Sequence, residues 1–339
     1  MISRIYRLTE PRHIEMKQRE LCIDNDSVIV KPEYLSICAA DQRYFCGHRR
    51  QEVLNSKLPM ALIHEAVGRV MYDRSGSLLP NEKVVLFPLD TNGEDSKVKA
   101  NYRSDSVFSS SDADGFMRDF IALPSRRLIK ISDSNSLPYV FTEILSVAIG
   151  AINALFRNDV NAEDTFGVWG DGSMGYITGL ALRLRFPCSN ILIFGKTTRR
   201  MRRFSYADEL FQINSVPKGI SIDHAFECVG GTNAENAIEQ IIKMISPQGT
   251  INLLGVSEDG IHINTRTVLE KGLHIVGNSR SDLRSFEEAV RLIHDNKKCA
   301  NYLRMLISDI VDVQSEDDIY SAFSKDAVND FKTVINWRI

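Results

Sequence analysis

The chain has 339 residues, 43% hydrophobic and 25% charged, which is the composition of an ordinary soluble globular protein. Its 41 Lys and Arg against 44 Asp and Glu give a formal net charge of −3, which argues against a dedicated nucleic-acid-binding protein. The length predicts two domains at about 100–200 residues each. No apolar run reaches the ~18–20 residues of a membrane span, and the N-terminus lacks the apolar core of a signal peptide. We therefore expect a cytoplasmic protein without a membrane or nucleic-acid partner.

The first part of the chain carries short β-type runs separated by turn-rich segments. Strands are predicted at Ser27–Lys31, Glu82–Phe87 and Asp119–Leu123, and a long polar, serine-rich loop is predicted at Asn92–Asp114. This pattern is typical of an all-β region of barrel type with few helices. The six cysteines are scattered and form no C-x-x-C pair, so reduced thiols are expected.

From Thr165 onward, predicted strands alternate with predicted helices. This alternation indicates βαβ units, and therefore a parallel sheet with helices on both faces. The predicted strands are 166–169, 190–194, 222–227, 250–254 and 273–276, with helices at 175–185 and 234–245. After Ser281, helices are predicted at 285–295 and 315–324, followed by a strand at 333–337.

A G-x-G-x-x-G motif follows the first of these strands and opens the next helix, which is the context of a dinucleotide-binding fingerprint. Its glycines are Gly170, Gly172 and Gly175, with Ser173 and Met174 between them. Glycine allows a tight turn, a close approach to the pyrophosphate and close packing of helix on strand. The helix N-terminus then offers N–H groups to the diphosphate. The alternative is a glycine-rich turn without a ligand.

The end of the next strand indicates which dinucleotide binds. An NAD enzyme usually carries Asp or Glu about 20 residues after the fingerprint, to bind the ribose 2′-hydroxyl. Here that position is Gly195, and Lys196, Thr197, Arg199 and Arg200 follow it. An acid would repel a 2′-phosphate, whereas this basic run would bind it, so NADP(H) is the predicted cofactor. The alternative is a solvated basic start of a helix.

The first domain contains residues that could bind a metal. Cys38 and Asp41, the pair His64–Glu65, and Glu143 supply the thiolate, imidazole and carboxylate ligands that zinc prefers. Each residue alone could equally be a buried cysteine, a satisfied histidine or a surface carboxylate. Spacing cannot decide between these interpretations for ligands so distant in sequence.

These motifs occur in the order that the zinc-dependent medium-chain dehydrogenase/reductase superfamily shows, and the chain resembles that superfamily over essentially its whole length. More narrowly, it resembles the ribulose-5-phosphate reductases (ribitol-5-phosphate dehydrogenases) of bacterial teichoic-acid and capsule synthesis. The superfamily motifs are Cys38 with Asp41, His64–Glu65, Thr142–Val147, Gly170–Gly175, Glu227–Gly231 and Leu254–Ser257. The narrower match lies in Ser36–Tyr44, Ala61–Glu65, Gly167–Gly172, His224–Gly231, Asn264–Leu273 and Gly277–Ser281.

The resemblance implies an α/β protein with a GroES-like β-barrel catalytic domain, at 1–148 and 284–339, and a Rossmann doubly wound cofactor domain at 149–283. It implies reduction of D-ribulose 5-phosphate by NADPH, with product feeding CDP-ribitol synthesis. Another polyol or sugar phosphate, or a non-catalytic NADP-binding protein, are the alternatives. The implied partners are a second copy in a homodimer and a ribitol-5-phosphate cytidylyltransferase. The cofactor loops would include Cys228, Val229, Gly255 and Val256.

The implied zinc ligands are Cys38, His64 and Glu65, with Glu143 as a fourth ligand or one that acts through water. Asp41 would orient a ligand from outside this set, or alternatively cap a turn. Ala40 stands where many relatives carry the Ser or Thr of a proton relay. The Asn92–Asp114 loop has no cysteine, although many relatives hold a structural zinc there. One catalytic zinc and no structural zinc are therefore predicted.

The substrate phosphate needs a cationic partner. Arg43, Arg49 and Lys57 follow Cys38 closely, and Arg43 is the best placed of the three. Solvated surface side chains are an equally good interpretation of any one of them.

Overall fold

Strands dominate the N-terminal part of the chain in a computed structural model that describes residues 1–91, 97–132, 135–155 and 160–339. The strands are β1 (Ile2–Glu10), β2 (His13–Glu20), β3 (Ser27–Ser36), β4 (Met60–Ala61), β5 (Glu65–Asp73), β6 (Lys83–Leu86), β7 (Leu89–Asp90), β8 (Val107–Phe108), β9 (Ile121–Pro124) and β10 (Leu128–Ile131). The helices among them are α1 (Ala39–Phe45) and α2 (Gln51–Lys57).

Strands and helices alternate in the middle of the chain, and helices predominate after residue 281. The elements are α3 (Thr142–Leu155), β11 (Thr165–Trp169), α4 (Ser173–Arg185), β12 (Asn190–Gly195), α5 (Thr198–Met201), β13 (Glu209–Gln212), β14 (Ile222–Glu227), α6 (Ala234–Met244), β15 (Ile245–Leu253), α7 (Thr265–Lys271) and β16 (His274–Gly277). They continue with α8 (Leu283–Asp295), α9 (Lys297–Arg304), β17 (Ile307–Val313), α10 (Glu316–Val328) and β18 (Lys332–Trp337).

The chain divides into two compact units, and the first of them is discontinuous in sequence. One unit comprises Met1–Glu143 with Ser281–Ile339, and the other comprises Ile144–Arg280. The sequence places these divisions a few residues later, after 148 and after 283. The C-terminal segment therefore belongs structurally with the N-terminal one.

The first unit is built on a mainly antiparallel sheet whose strands run in the order β10-β6-β5-β3-β18-β17, with β9 also paired to β3. Strand β3 lies in the interior of this sheet. It pairs with β5 on one side, with Ser36 opposite Glu65, and with β18 on the other, with Ser36 opposite Val334. The loops and strand ends near residue 36 are thereby brought together from three distant parts of the chain.

The second unit contains a six-stranded parallel sheet in the order β13-β12-β11-β14-β15-β16. Counted from β11, this is the 3-2-1-4-5-6 order of the doubly wound dinucleotide-binding fold. The predicted Rossmann sheet is confirmed. Its core is apolar and close-packed, with the rings of Trp169 and Phe194 stacked at 3.9 Å between centroids.

Several elements were not predicted from the sequence. The hairpin β1–β2, the short strand β13 and the strand β17 carry no clear alternation of apolar and polar residues, and β17 lies where only helices were expected. Within the predicted loop Asn92–Asp114, residues 92–96 lie outside the described residues. The remainder contains a short 3-10 turn, Ala100–Tyr102, and strand β8.

Among the described residues, one segment, Leu137–Leu155, is long and apolar enough to cross a membrane by length and composition alone, although the sequence predicted no such run. However, 72% of its apolar window is buried inside the protein. Burial of that extent is typical of a core helix, because a core helix packs its apolar side chains against its own chain.

The fingerprint loop gives a test of the fold, because two of its glycines have opposite surroundings. A Cβ at Gly175 would lie 1.9 Å from the Gly170 carbonyl oxygen, whereas a Cβ at Gly172 would meet nothing within 4 Å. Gly172 also has a φ of −91°, which any residue adopts. We expect Gly175→Ala to destabilise the second unit by about 1–3 kcal/mol or more. Gly172→Ala should leave its thermal midpoint unchanged or raised. Equal losses in calorimetry of both variants would contradict this interpretation.

Candidate active site

Among the described residues, one group of three metal-ligating side chains stands out. A thiol sulfur, an imidazole nitrogen and a carboxylate oxygen, from Cys38, His64 and Glu65, lie within 4.8 Å of one another. His64 and Glu65 are buried, and Cys38 is partly exposed. The sheet explains this meeting. Cys38 follows the end of β3, and Glu65 begins β5, opposite Ser36 at the last position of β3.

The carboxylate of Asp41 ties the segments of this group together. It is fully buried, and its Oδ2 accepts the N–H of Cys38 at 3.0 Å. Its Oδ1 accepts the N–H of Ile63 at 3.0 Å and the hydroxyl of Ser110 at 2.6 Å. The same oxygen lies 3.7 Å from Nδ1 of His64. Burial alone would raise the pKa of Asp41, but the facing His64 and these hydrogen bonds lower it.

The imidazole of His64 lies between the carboxylate of Asp41 and the ring of Phe108. Burial alone would lower the pKa of His64, but the charge of Asp41 raises it well above its ordinary value. The ring of Phe108 lies 5.2 Å from the imidazole, between centroids. Since Nδ1 faces Asp41, Nε2 is the nitrogen left for a metal or substrate.

The residue before His64 has a strained backbone. Ile63 is a fully buried β-branched residue with a φ of +70°, in the left-handed region that such residues rarely adopt. Its N–H bonds Asp41, and its carbonyl accepts the N–H of Phe116 at 2.7 Å. A Cβ on the adjacent Gly115 would lie 2.3 Å from that carbonyl oxygen. Bonds on both sides thus fix the turn that presents His64 and Glu65.

Glu65 is paired with a buried lysine that comes 267 residues later in the chain. The Nζ of Lys332 donates to Oε1 of Glu65 at 2.6 Å and to the carbonyl of Ile37 at 3.0 Å. Both side chains are at least 95% buried. Burial would lower the pKa of Lys332, but the charge of Glu65 raises it. Sequence reasoning missed Lys332, since a lysine at a strand start is ordinarily a surface residue.

These three side chains fit a zinc ion both by the chemistry of their ligand atoms and by a carboxylate oxygen that lacks a hydrogen-bond partner. Oε2 of Glu65 is buried and has no hydrogen-bond partner among the described residues. A bound cation would give this second oxygen of Glu65 a partner, because a buried polar atom without one is costly. Thiolate, imidazole and carboxylate are ligands that zinc accepts, and three protein ligands leave the open position of a catalytic site.

Glu143 lies near this group without belonging to its tight cluster. It stands in the first turn of α3 and is buried. Burial raises the pKa of Glu143 to about 7, the charge of His64 opposes this rise, and the charge of Glu65 adds to it. Near neutral pH, its carboxyl group can therefore either hold or release a proton.

The second unit carries a cavity of about 470 Å³ at the carboxyl ends of its central strands. This is the edge at which doubly wound sheets bind their ligands. The cavity is lined by the predicted residues Gly170, Gly172, Gly195, Lys196, Arg200, Cys228 and Val229, and by Asp171, Asn214, Asn233 and other residues that were not predicted.

The remaining predicted cofactor residues lie beside this cavity rather than in its lining. Ser173 and Met174 form the first turn of α4, and Gly255 and Val256 follow β15. Thr197 precedes α5, and Arg199 lies within it on an exposed position.

A buried carboxylate that sequence reasoning did not single out holds two of the cofactor loops together. Oε1 of Glu227 accepts the N–H groups of Val229 at 2.7 Å and Gly230 at 2.8 Å. Its Oε2 accepts the N–H of Gly255 at 3.1 Å. The loops after β14 and β15 therefore share one anchor.

The three candidates for the substrate phosphate have different surroundings. The Nζ of Lys57 donates to Oδ1 of Asp112 at 2.8 Å, and Oδ2 of Asp112 accepts the N–H of Phe108 at 3.1 Å. Lys57 is thus bonded to the segment of Phe108, whose phenyl ring packs against His64. The guanidinium of Arg49 lies 4.8 Å from the ring centre of Tyr44, and Arg43 is partly exposed in the last turn of α1.

Comparison with known proteins gives consistent matches. Residues 24–133 match the alcohol dehydrogenase GroES-like domain, and residues 204–295 match the zinc-binding dehydrogenase domain. The predicted GroES-like domain is thereby confirmed. The chain is 42% identical over 339 residues to ribulose-5-phosphate reductase 1 of Staphylococcus aureus, with 99% of both chains covered.

Two further matches extend over both chains completely. The ribulose-5-phosphate reductase of Bacillus spizizenii is 42% identical over 342 residues, with 100% of each chain covered. A crystal structure of Staphylococcus aureus TarJ in complex with NADPH superposes with a TM-score of 0.90, at 40% identity and with 100% of each chain covered.

The buried pair Lys332–Glu65 can be tested against an exposed pair of the same length. Lys243 and Glu239 are also 2.6 Å apart, but both are more than half exposed. In chelator-treated protein, we expect Lys332→Met to cost about 3–5 kcal/mol, because it leaves a buried carboxylate unpaired. Lys243→Met should cost less than about 1 kcal/mol. Adding Glu65→Gln to Lys332→Met should recover much of the loss in denaturant midpoint. Equal small losses in the two single variants would show that Lys332 does not support Glu65.

Proposed function

The chain belongs to the ribulose-5-phosphate reductases, within the zinc-dependent medium-chain dehydrogenases and reductases, and on this basis we propose that it reduces D-ribulose 5-phosphate to D-ribitol 5-phosphate with NADPH. It is an oxidoreductase of the alcohol and polyol dehydrogenase type. The observation that carries the proposal is the meeting of Cys38, His64 and Glu65 within 4.8 Å, in a chain similar to such reductases over its full length.

Cys38, His64 and Glu65 would hold one zinc ion, with Glu143 as a fourth ligand or bound to it through water. When bound, zinc supplies a Lewis acid that polarises the substrate carbonyl. Asp41 keeps the imidazole of His64 oriented through Nδ1 and holds Cys38 and Ile63 by their N–H groups. Lys332 fixes one oxygen of Glu65 and leaves the other free to bind.

The reduction needs a proton as well as a hydride. Bound NADPH would supply the hydride, and the alkoxide at C2 would then need a proton from the protein or from water. Ala40 offers no hydroxyl for this step. We propose Glu143 for this step in the arrangement in which it reaches the zinc only through water, because its carboxyl group is buried beside His64 and Glu65 and its oxygen can then pass on a proton.

The cofactor would lie along the carboxyl edge of the parallel sheet. Helix α4 begins after Gly172 and is thirteen residues long, and the N–H groups at its N-terminus would bind the diphosphate. Lys196 and Arg200 would bind the 2′-phosphate, since both line the cavity beyond Gly195. Charge-assisted hydrogen bonds to a phosphate are about twice as strong as neutral ones.

We also propose that two copies of the chain form a homodimer and that the product of the reaction is used in cell-wall synthesis. Strand β16 lies at an edge of the parallel sheet, where its one partner among the described residues is β15. Its Ile275 and the nearby Leu269 are exposed, which suits a second copy at this edge. The product would be consumed by a ribitol-5-phosphate cytidylyltransferase to form CDP-ribitol.

The zinc proposal predicts a stoichiometry. Elemental analysis should find close to one zinc per chain, and Cys38→Ser should lose both the metal and the turnover, because a neutral hydroxyl replaces a thiolate poorly. Cys299→Ser is a matched control, since Cys299 is buried away from this group. Two zinc ions per chain, or full activity after exhaustive chelation, would refute the proposal.

The cofactor proposal predicts a selective loss of affinity. Lys196→Ala with Arg200→Ala should weaken NADPH binding at least tenfold and NADH binding hardly at all, because each charge-assisted bond is worth about 1.5–3 kcal/mol. Arg199→Ala serves as the control, because Arg199 does not line the cavity. Fluorescence titration measures both cofactors. Equal losses with both would indicate that the basic run is only a solvated helix start.

The substrate proposal predicts dependence on the phosphate. Free ribulose should be a very poor substrate even at saturation, because a remote anchor contributes to orientation as well as to affinity. Arg43→Ala should lower kcat/KM for ribulose 5-phosphate by about 2–4 kcal/mol, or roughly thirty- to a thousand-fold. The residual rate with free ribulose should barely change. Lys57→Ala and Arg49→Ala, assayed in parallel, show which cation is the anchor.

The same assay can refute the substrate proposal. If free ribulose is reduced as well as its phosphate ester, a general polyol dehydrogenase replaces the reductase. If Arg43→Ala harms both substrates equally, Arg43 supports the structure rather than the phosphate.

A further inference from the structure

We propose that Asp171, between the first two glycines of the fingerprint, positions the loop that binds the 2′-phosphate and thereby sets the preference for NADPH over NADH. This inference rests on the proposed cofactor and adds a residue to it that does not itself contact the phosphate. Asp171 is a positioning residue in this scheme. It acts through the backbone of Lys196 and Thr197.

The contacts of Asp171 cross from one cofactor loop to the next. Its Oδ2 accepts the N–H of Lys196 at 2.9 Å and also the N–H of Thr197. These two residues follow β12 directly, at the place where a 2′-phosphate would lie. Asp171 itself follows Gly170 at the end of β11, the neighbouring strand. A single carboxylate oxygen therefore fixes the distance between the loop for the diphosphate and the loop for the ribose.

The close approach of the two loops also explains the glycine at position 195. A Cβ on Gly195 would lie 2.8 Å from the Cβ of Asp171 and 2.7 Å from the sulfur of Met201. The space that the acidic side chain of an NAD enzyme would need is therefore already occupied by Asp171. Its carboxylate is turned toward the backbone of the loop.

The remaining charges in this part of the cavity are positive. Lys196 and Arg200 line it, and the Nζ of Lys196 lies 3.3 Å from Oδ1 of Asn233. A carboxylate here would ordinarily repel a phosphate. Both observed hydrogen bonds of Asp171 go to N–H groups of the loop, so its carboxylate is directed at the backbone and stabilised there.

Two variants separate positioning from charge. Asp171→Asn keeps an oxygen that can accept both N–H groups but removes the charge, whereas Asp171→Ala removes both. We expect Asp171→Ala to weaken NADPH binding at least tenfold and NADH binding less than about threefold. Asp171→Asn should stay within about threefold of the wild-type affinity for NADPH. Binding is measured by fluorescence titration on the full chain, without sugar, and 2′,5′-ADP is compared by calorimetry with 5′-AMP, which lacks only the 2′-phosphate.

Three results would contradict the proposal or the cofactor preference on which it rests. Tighter NADPH binding by both variants would show that Asp171 opposes the phosphate by its charge, and would overturn the proposal. Equal losses for NADPH and NADH in both variants would show that Asp171 only supports the fold. Wild-type protein that binds NADH as tightly as NADPH would instead refute the cofactor preference itself. If Asp171→Ala does not fold, Asp171→Ser, which shortens the acceptor, takes its place with the same expected losses.

Discussion

The candidate catalytic centre depends on one buried carboxylate. Asp41 bonds the backbone of Cys38 and Ile63 and the hydroxyl of Ser110, and it faces the imidazole of His64. These groups lie on three separate segments, so the geometry of the metal-binding group is set at one point. A buried ion is stable only when its hydrogen-bonding capacity is filled, and here the bonds that fill it also align the neighbouring donors.

In the second unit, two more carboxylates hold loops together by accepting their backbone N–H groups. Glu227 gathers the N–H groups of two loops, and Asp171 gathers those of a third. Acidic side chains thus organise backbone at sites where the ligand is itself an anion. This works because each carboxylate is directed at amide groups, which leaves the cationic side chains to face the cavity. The acidic residues therefore fix the geometry of the loops, and the cationic residues provide the charge that a phosphate would meet.

The parts of this molecule that sequence could predict are those whose physical cause is local. The fingerprint glycines, the basic run after β12 and the βαβ alternation each lie within a short window, and each was recognisable there. Cys38, His64 and Glu65 were recognisable as donors by their chemistry, but their meeting depends on the pairing of β3 with β5. The resemblance to a family implied that these residues share a metal, since spacing alone left it open, but the pairing itself was not predicted.

Residues defined by long-range partners were not predictable. Lys332, Glu227 and Asp171 look like ordinary charged residues at strand ends, and only the fold shows that each has buried or backbone partners. β17 was missed because its parallel pairing with β18 carries no hairpin signal, and its sequence shows no clear alternation of apolar and polar residues. The strain at Ile63 also lies outside any sequence pattern, because the left-handed region there is held by tertiary bonds.

The discontinuity of the first unit has a consequence for synthesis on the ribosome. Glu65 is made 267 residues before Lys332, its buried counter-ion. At about 5–20 residues per second, this interval lasts roughly 13–53 seconds. During that time the nascent chain contains every metal-binding side chain of the cluster but no lysine to pair with Glu65, and β3 lacks β18 as its neighbour. The centre is therefore completed by β18, the last strand to emerge, and a chain terminated early would expose its metal-binding residues without the support that buries them.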